Sequence, residues 1–319
     1  MNTLEHVRSA CKAVAAQATH VLINHERIPA YAASLIPHLA DKQTLDPSRH
    51  YVGHGEDSVA FIITLDAINF GSGYFPHLRK RPGMSGYFTI ASSLTDSFTK
   101  RGPLSARELS EITTSGCARM FAQDIGNPAI AELMSLFSRA LNDLGSYLCA
   151  RFHGRFTDLI VAADHSAVRL VDILRVMPLF FDEEKYRGMS VPFYKRAQIT
   201  ASDLAIAFDG RGPGEFHDLN RLTIFADNMV PHVLRVDGIL SYNKDLLARI
   251  GQGELIPAGS EEEVEMRACA VHAVELIARA ITATGDQVTA QQLDNALWNK
   301  GQNSEYKAIP RHRTRTPYY

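Results

Sequence analysis

Residues 222 to 234, Leu-Thr-Ile-Phe-Ala-Asp-Asn-Met-Val-Pro-His-Val-Leu, hold the most suggestive chemistry in this chain. An apolar run ends in a lone acid, Asp227, and Pro231 follows four residues later. Proline is tolerated in the first turn of a helix, where its missing N–H leaves nothing unpaired. Asp227 is therefore expected at or just before a helix N-terminus. Free backbone N–H groups and the helix dipole favour an ionised carboxylate there. Phe225 would lie beside it. Read plainly, the two are a capping aspartate and a core phenylalanine. Read chemically, they are a fixed negative charge next to a flat aromatic face.

Other reactive arrangements drop out. The 13 histidines contain no His-Glu-x-x-His and no two-histidine-plus-carboxylate cluster at helical spacing, so no metal site is expected. Gly-x-Ser-x-Gly is absent, and the four cysteines show neither zinc nor redox spacing. No Gly-x-Gly-x-x-Gly follows a strand, which removes the dinucleotide fingerprint. Gly210 to Gly214 lacks the Lys-Ser/Thr ending of a phosphate loop. Lys195 and Arg196 open a helix over 193–208, where the dipole disfavours cations, and such a local conflict points mildly to function. His54 reads as a surface histidine, and Asp294 equally well as a plain helix carboxylate.

The elements that must position these groups are helical. Leu4, Val7, Cys11, Val14, Ala18 and Val21 predict an amphipathic helix over 3–23. A short apolar segment follows Pro29 through Ala40. Ser58 to Phe70 is apolar on most sides and predicts a buried helix, with Glu56 or Asp57 as its cap. Further helices are expected over 86–100, from the Ser105–Glu108 capping box to Thr113, along the stripe from Ile130 to Leu148, and over 165–177 before Pro178. Asn243 to Ile250, the Ser260–Glu263 capping box with Val264, Ala268, Val271 and Ala278, and Gln292 to Asn299 complete the set. Residues 310–319 read as a solvated tail. No period-2 strand of useful length and no repeat is evident. The coarse fold class is all-α. No linker divides the 319 residues, so one domain over 1–319 is expected, with room for two helical lobes around a central pocket.

Composition bounds the partners. Hydrophobic content of 45%, charged content of 21% and a formal net charge of −2 describe an ordinary globular chain. They give no reason to expect general nucleic-acid or acidic-membrane binding. No signal peptide and no 18-residue apolar run is present, so a reduced, cytoplasmic location is expected.

Seven collinear stretches carry a resemblance. They are Tyr51-Val-Gly-His-Gly-Glu-Asp57, Leu65-Asp-Ala-Ile-Asn-Phe70, Val191-Pro-Phe-Tyr-Lys-Arg-Ala-Gln-Ile199, Thr223-Ile-Phe-Ala-Asp-Asn-Met-Val-Pro231, Glu263-Val-Glu-Met-Arg-Ala-Cys269, Leu293-Asp-Asn-Ala-Leu-Trp298 and Pro310-Arg-His-Arg-Thr-Arg-Thr-Pro-Tyr-Tyr319. Together they resemble the queuosine salvage family, the queuosine 5′-phosphate N-glycosylases that release queuine for reuse in tRNA modification. The resemblance implies an all-helical fold similar to the helix-hairpin-helix DNA glycosylases, with no cofactor. It implies Asp227 as the catalytic carboxylate at C1′ and Phe225 stacking on the base. Asp294, Asn295 and Asn299 would read the base edge, and His54 the base or its cyclopentenediol arm. Lys195 would meet the 5′-phosphate, with Arg313 and Arg315 as weaker candidates. The chain departs from the family pattern at Gly71-Ser-Gly73, where eukaryotic members follow Asn-Phe with x-Phe-Trp, and at Asn299, where an aspartate is usual. The implied partner is the small molecule queuosine 5′-monophosphate, without stable nucleic acid or membrane. Two alternatives stay open: a nucleic-acid base glycosylase, and a non-catalytic nucleotide- or tRNA-binding protein.

Overall fold

Asn2 accepts a hydrogen bond from the Glu5 N–H and opens helix α1 (Thr3–Ala15), which buries Leu4, Val7, Cys11 and Val14. The structure is a computed structural model and describes residues 2–39 and 43–319. The expected helix over 3–23 stops early. The backbone N–H groups of Thr19, His20 and Val21 all turn to the buried Glu265 carboxylate, at 2.7–3.1 Å. Val21–Ile23 instead forms a short strand, antiparallel to Leu240–Tyr242. Helix α2 (Ile28–Leu35) is the predicted apolar segment; Ala40 lies outside the described residues.

Helix α3 (Glu56–Ala67) has ten consecutive buried residues, Ser58 to Ala67, as its unbroken apolar sequence requires. Its N-cap is Gly55 at φ +58°, so neither Glu56 nor Asp57 caps it. There follow α4 (Gly86–Arg101), α5 (Ala106–Glu111), α6 (Thr114–Met120), α7 (Pro128–Arg151), α8 (Phe156–Ala163) and α9 (Ala167–Leu174). The Ser105–Glu108 box on α5 is complete. Gly145 lets α7 lie against α5, where an added Cβ would sit 2.3 Å from the Ala106 carbonyl oxygen. A second strand pair, Glu183–Tyr186 with Met189–Pro192, leads into α10 (Lys195–Ala207).

The last helices are α11 (Met229–Val236), α12 (Lys244–Gly251), α13 (Glu261–Ala283), α14 (Ala290–Lys300) and α15 (Ser304–Ala308). Helix α13 gathers α1, α2, α11 and α14 around it, α7 gathers α3, α5 and α6, and α3 meets α10. Buried apolar side chains from Leu4 to Tyr306 form one contiguous cluster. The Ser260–Glu263 box is only half made. Ser260 accepts the Glu263 N–H at 3.3 Å, but the Glu263 carboxylate turns to the Gly259 N–H and to Arg267. Among the described residues, no helix is long and apolar enough to cross a membrane.

Segment 310–319 corrects the expected solvated tail. His312, Thr314, Thr316 and Tyr319 are all buried, and the intervening Arg313 is exposed. The segment is docked by backbone: Ile256 N–H donates to the Arg313 carbonyl at 2.9 Å and Gly71 N–H to the Tyr319 carbonyl at 3.0 Å. At Gly73 a Cβ would meet the Thr314 carbonyl oxygen at 2.1 Å, so the approach requires glycine.

Candidate active site

Residues 222–226 are buried without regular secondary structure, Asp227 is half-buried, and side chains from three helices pin the segment's backbone. Gln198 of α10 accepts the Thr223 N–H and donates to the Thr223 hydroxyl and the Phe193 carbonyl, each at 2.8 Å. Asp294 of α14 accepts the Phe225 N–H at 2.8 Å. Arg267 of α13 donates from Nε to the Ala226 carbonyl at 3.0 Å. Asp227 then accepts from Met229 N–H at 2.7 Å and Val230 N–H at 3.2 Å, both through Oδ1. It thus holds the start of α11, as its spacing to Pro231 predicts. Oδ2 makes no hydrogen bond among the described residues.

Asp227 also lines a cavity of about 850 Å³. The same cavity receives Phe225, Lys195 of α10, and Asp294, Asn295 and Asn299 of α14. Those three α14 residues and Trp298 share one helix face, at spacings of one, four and five. Asn295 is held by Gln43 and by the Gln291 carbonyl. Six of the seven sequence-predicted residues therefore meet in one place.

His54 does not. It is exposed, stacked on Tyr51 with ring centroids 3.9 Å apart, and lines no part of the cavity. His50, one turn of chain earlier, does. Its Nδ1 lies 3.1 Å from the Asp46 carbonyl oxygen, which only accepts, so Nδ1 carries the hydrogen. In the neutral ring Nε2 then accepts the Tyr87 O–H at 3.0 Å, leaving the Tyr87 oxygen lone pairs for the cavity. Burial pulls the His50 pKa down, in keeping with that neutral ring. Asp203 of α10 is a second residue missed in sequence; it lines the cavity on the face that carries Lys195 and Ile199.

Charge is unevenly matched here. Burial pushes the Asp66 carboxyl up to about 7 and those of Asp203 and Asp294 well above the usual carboxylate range, the nearby Asp227 adding to the rise at Asp294. Asp66 accepts from the Asn69 amide at 3.2 Å through Oδ1, while its buried Oδ2 makes no hydrogen bond within 3.5 Å among the described residues. Burial lowers the Lys195 pKa, opposed by Asp227 and Asp66. The Lys195 ammonium donates to the Asn69 carbonyl at 2.9 Å and to its side-chain oxygen at 3.3 Å. The cations expected at a helix start are answered there by Asp182, whose carboxylate accepts the Lys195 N–H at 3.1 Å. Four other cations, Lys80, Lys307, Arg311 and Arg313, line the cavity on different segments. Arg315 turns away to Glu132 and the Tyr74 ring.

Among the described residues two groups offer three metal-ligand atoms each: His165, Glu215 and His217 on the surface, and His20, Glu261 and Glu265. Neither lines the cavity. The first brings two histidines and a carboxylate together from loops about fifty positions apart, a grouping that helical spacing could not reveal.

The arrangement is a carboxylate fixed at a helix start, an aromatic face beside it, and buried acids whose protonated form burial favours. Residues 49–319 match the family described as queuosine salvage protein. A protein of Sphaerobacter thermophilus named queuosine 5′-phosphate N-glycosylase/hydrolase is 40% identical over 98% of this chain and 97% of its own. Proteins of the same name from Dictyostelium discoideum and Mus musculus are 30% identical over 100% of both chains and 28% identical over 98% of both. This chain belongs to the queuosine salvage protein family.

Proposed function

We propose that this chain hydrolyses the N-glycosidic bond of queuosine 5′-phosphate and releases queuine. The observation that carries the reading is Asp227, anchored through one oxygen at the start of α11 while its side chain lines the cavity. As the C1′–N bond lengthens, its electron pair leaves with the base and positive charge builds on the ribose, as in glycoside hydrolysis. At about 4 Å and an effective dielectric near 20, one carboxylate stabilises that charge by roughly 4 kcal/mol. With ~1.4 kcal/mol per tenfold in rate, this amounts to about three decades. Water adds at C1′ and loses a proton, for which Asp227 serves as the base.

Queuine is a 7-deaza base, so protonation at N7 is closed to it. Asp294, whose carboxyl burial favours in the protonated form, suits the task of donating a hydrogen bond to another polar atom of the leaving base, with Asn295 and Asn299 beside it. Phe225 stacks on the ring, a contact worth about 1–3 kcal/mol. Lys195, committed to Asn69 and acted on by Asp227, serves the catalytic acid better than the phosphate. Arg311, Arg313 and Lys80 suit the 5′-phosphate. The reading is of residues 1–319 as one catalytic domain, cytoplasmic, acting on a free nucleotide without stable nucleic acid.

The test is release of free base from queuosine, queuosine 5′-phosphate and guanosine 5′-phosphate, followed chromatographically. Queuine from the 5′-phosphate is the expected result; no base from any of the three sinks the reading. Activity insensitive to moderate salt separates it from nucleic-acid binding, which weakens steeply as salt rises.

A further inference from the structure

The mechanism above leaves Asp203 unused. This acid is 8% exposed and lines the cavity from α10, eight residues, or about 12 Å along the axis, beyond Lys195. Its carboxyl makes no hydrogen bond among the described residues. Burying an unpartnered polar group costs free energy, so the position asks for a ligand. The groups acting on or near it are Asp66 from α3, Tyr87 from α4, Lys195 from its own helix and Asp294 from α14. Three of those four are acids or a phenol. The single ammonium already donates to Asn69. This end of the cavity is short of positive charge, and a ligand that brings a cation supplies it.

We propose that Asp203 is a specificity-determining residue whose carboxylate pairs with a cationic amine carried by the ligand's base. The inference rests on the proposed function, and it deepens it: the arm of queuine is joined to the 7-deazaguanine ring through a secondary amine, protonated at neutral pH, whereas guanine has no such group. A neutral purine nucleotide would leave Asp203 unmatched. Discrimination then comes from an ion pair formed only with the correct base.

The pairing has a proton signature. In the free protein burial and Asp66 hold the Asp203 carboxyl above the usual range and so favour its protonated form. An ammonium beside it favours the carboxylate, and binding releases that proton. Affinity for the cationic base therefore rises with pH, by up to about tenfold per unit, until the carboxyl ionises in the free protein as well.

The experiment compares two bases that differ in charge at one substituent, 7-aminomethyl-7-deazaguanine and 7-cyano-7-deazaguanine, by calorimetry in buffers of different ionisation heat. Wild type is expected to bind the aminomethyl base at least about tenfold more tightly and with net proton release. Asp203→Asn is expected to lose that preference and the proton while holding the cyano base within about threefold. Wild type without the preference or without proton release overturns the proposal, whatever the variant does. So does a variant that weakens both bases equally, as a structural role would. Hydrolysis of queuosine 5′-phosphate is assayed alongside. Its absence removes the glycosylase reading, while the charge preference is decided on the free bases alone.

Discussion

Two clusters of buried charge flank segment 222–227, and the protein treats them in opposite ways. Around Arg267, which is wholly buried, the guanidinium binds Asp182 at 2.6 Å and the Ala226 carbonyl at 3.0 Å, with Glu263 at 3.6 Å. The Phe193 ring lies 3.9 Å from it and the Tyr319 ring 4.7 Å. Around Lys195 the acids Asp66, Asp203 and Asp294 are buried with few partners, and one Asp66 oxygen makes no hydrogen bond among the described residues. Charge buried around Arg267 is matched by opposite charge on both sides, although Arg267 Nη1 and Asp182 Oδ1 make no hydrogen bond among the described residues. Charge buried around Lys195 is mostly of one sign, and burial then shifts its protonation instead.

The largest expected effect tests the architectural side. Arg267→Met fills similar space but strands Asp182 and Glu263, and breaking a buried pair costs about 3–5 kcal/mol. Denaturant unfolding is the measurement, and a loss under about 1 kcal/mol would erase the distinction between the clusters. On the cavity side Asp227→Asn keeps an acceptor for the start of α11 but removes the charge. Here kcat/KM is expected to fall about a thousandfold with the melting temperature nearly unchanged. A variant within tenfold of wild type would take the chemistry away from this residue. Phe225→Ala is expected to cost about 1–3 kcal/mol of transition-state binding, roughly ten- to a hundredfold in kcat/KM. An effect on stability alone would return Phe225 to the core.

A further expected effect concerns pH. Asp66 is raised in the folded state from an ordinary value near 3.8 to about 7. Its contribution to stability is therefore full below pH 4 and is lost as pH rises toward 7. Against Asp66→Asn, which cannot ionise, wild type is expected to be relatively most stable near pH 4 and to lose that advantage by pH 8. Melting curves of both proteins across this range make the comparison, and a constant difference would show that Asp66 is not held neutral.

The acid before α11 was legible because proline and aspartate each prefer one place at a helix start. The α14 face was legible because helical spacing alone brings Asp294, Asn295 and Asn299 together. His50 and His54 precede the same helix, and nothing local says which one faces inward; the Tyr51 ring that holds His54 outside is a matter of packing. Asp203 was within reach, since it stands eight residues from Lys195 and so on the same helix face, but a charge in mid-helix reads as solvated. Residues 312, 314 and 316 alternate inward like a strand, yet the buried ones are histidine and threonine, so no apolar signal marks them. The early end of α1 depends on Glu265, more than two hundred positions away.

Asp182 deserves a last consequence. One of its oxygens receives both the first N–H of α10 and the guanidinium that grips Ala226. The wall bearing Lys195 and the segment bearing Asp227 are thereby clamped through Asp182 as well as through Gln198. Warming has no soft seam to open between them, so turnover and tertiary structure are expected to vanish in one common step, with no folded yet inert species beforehand.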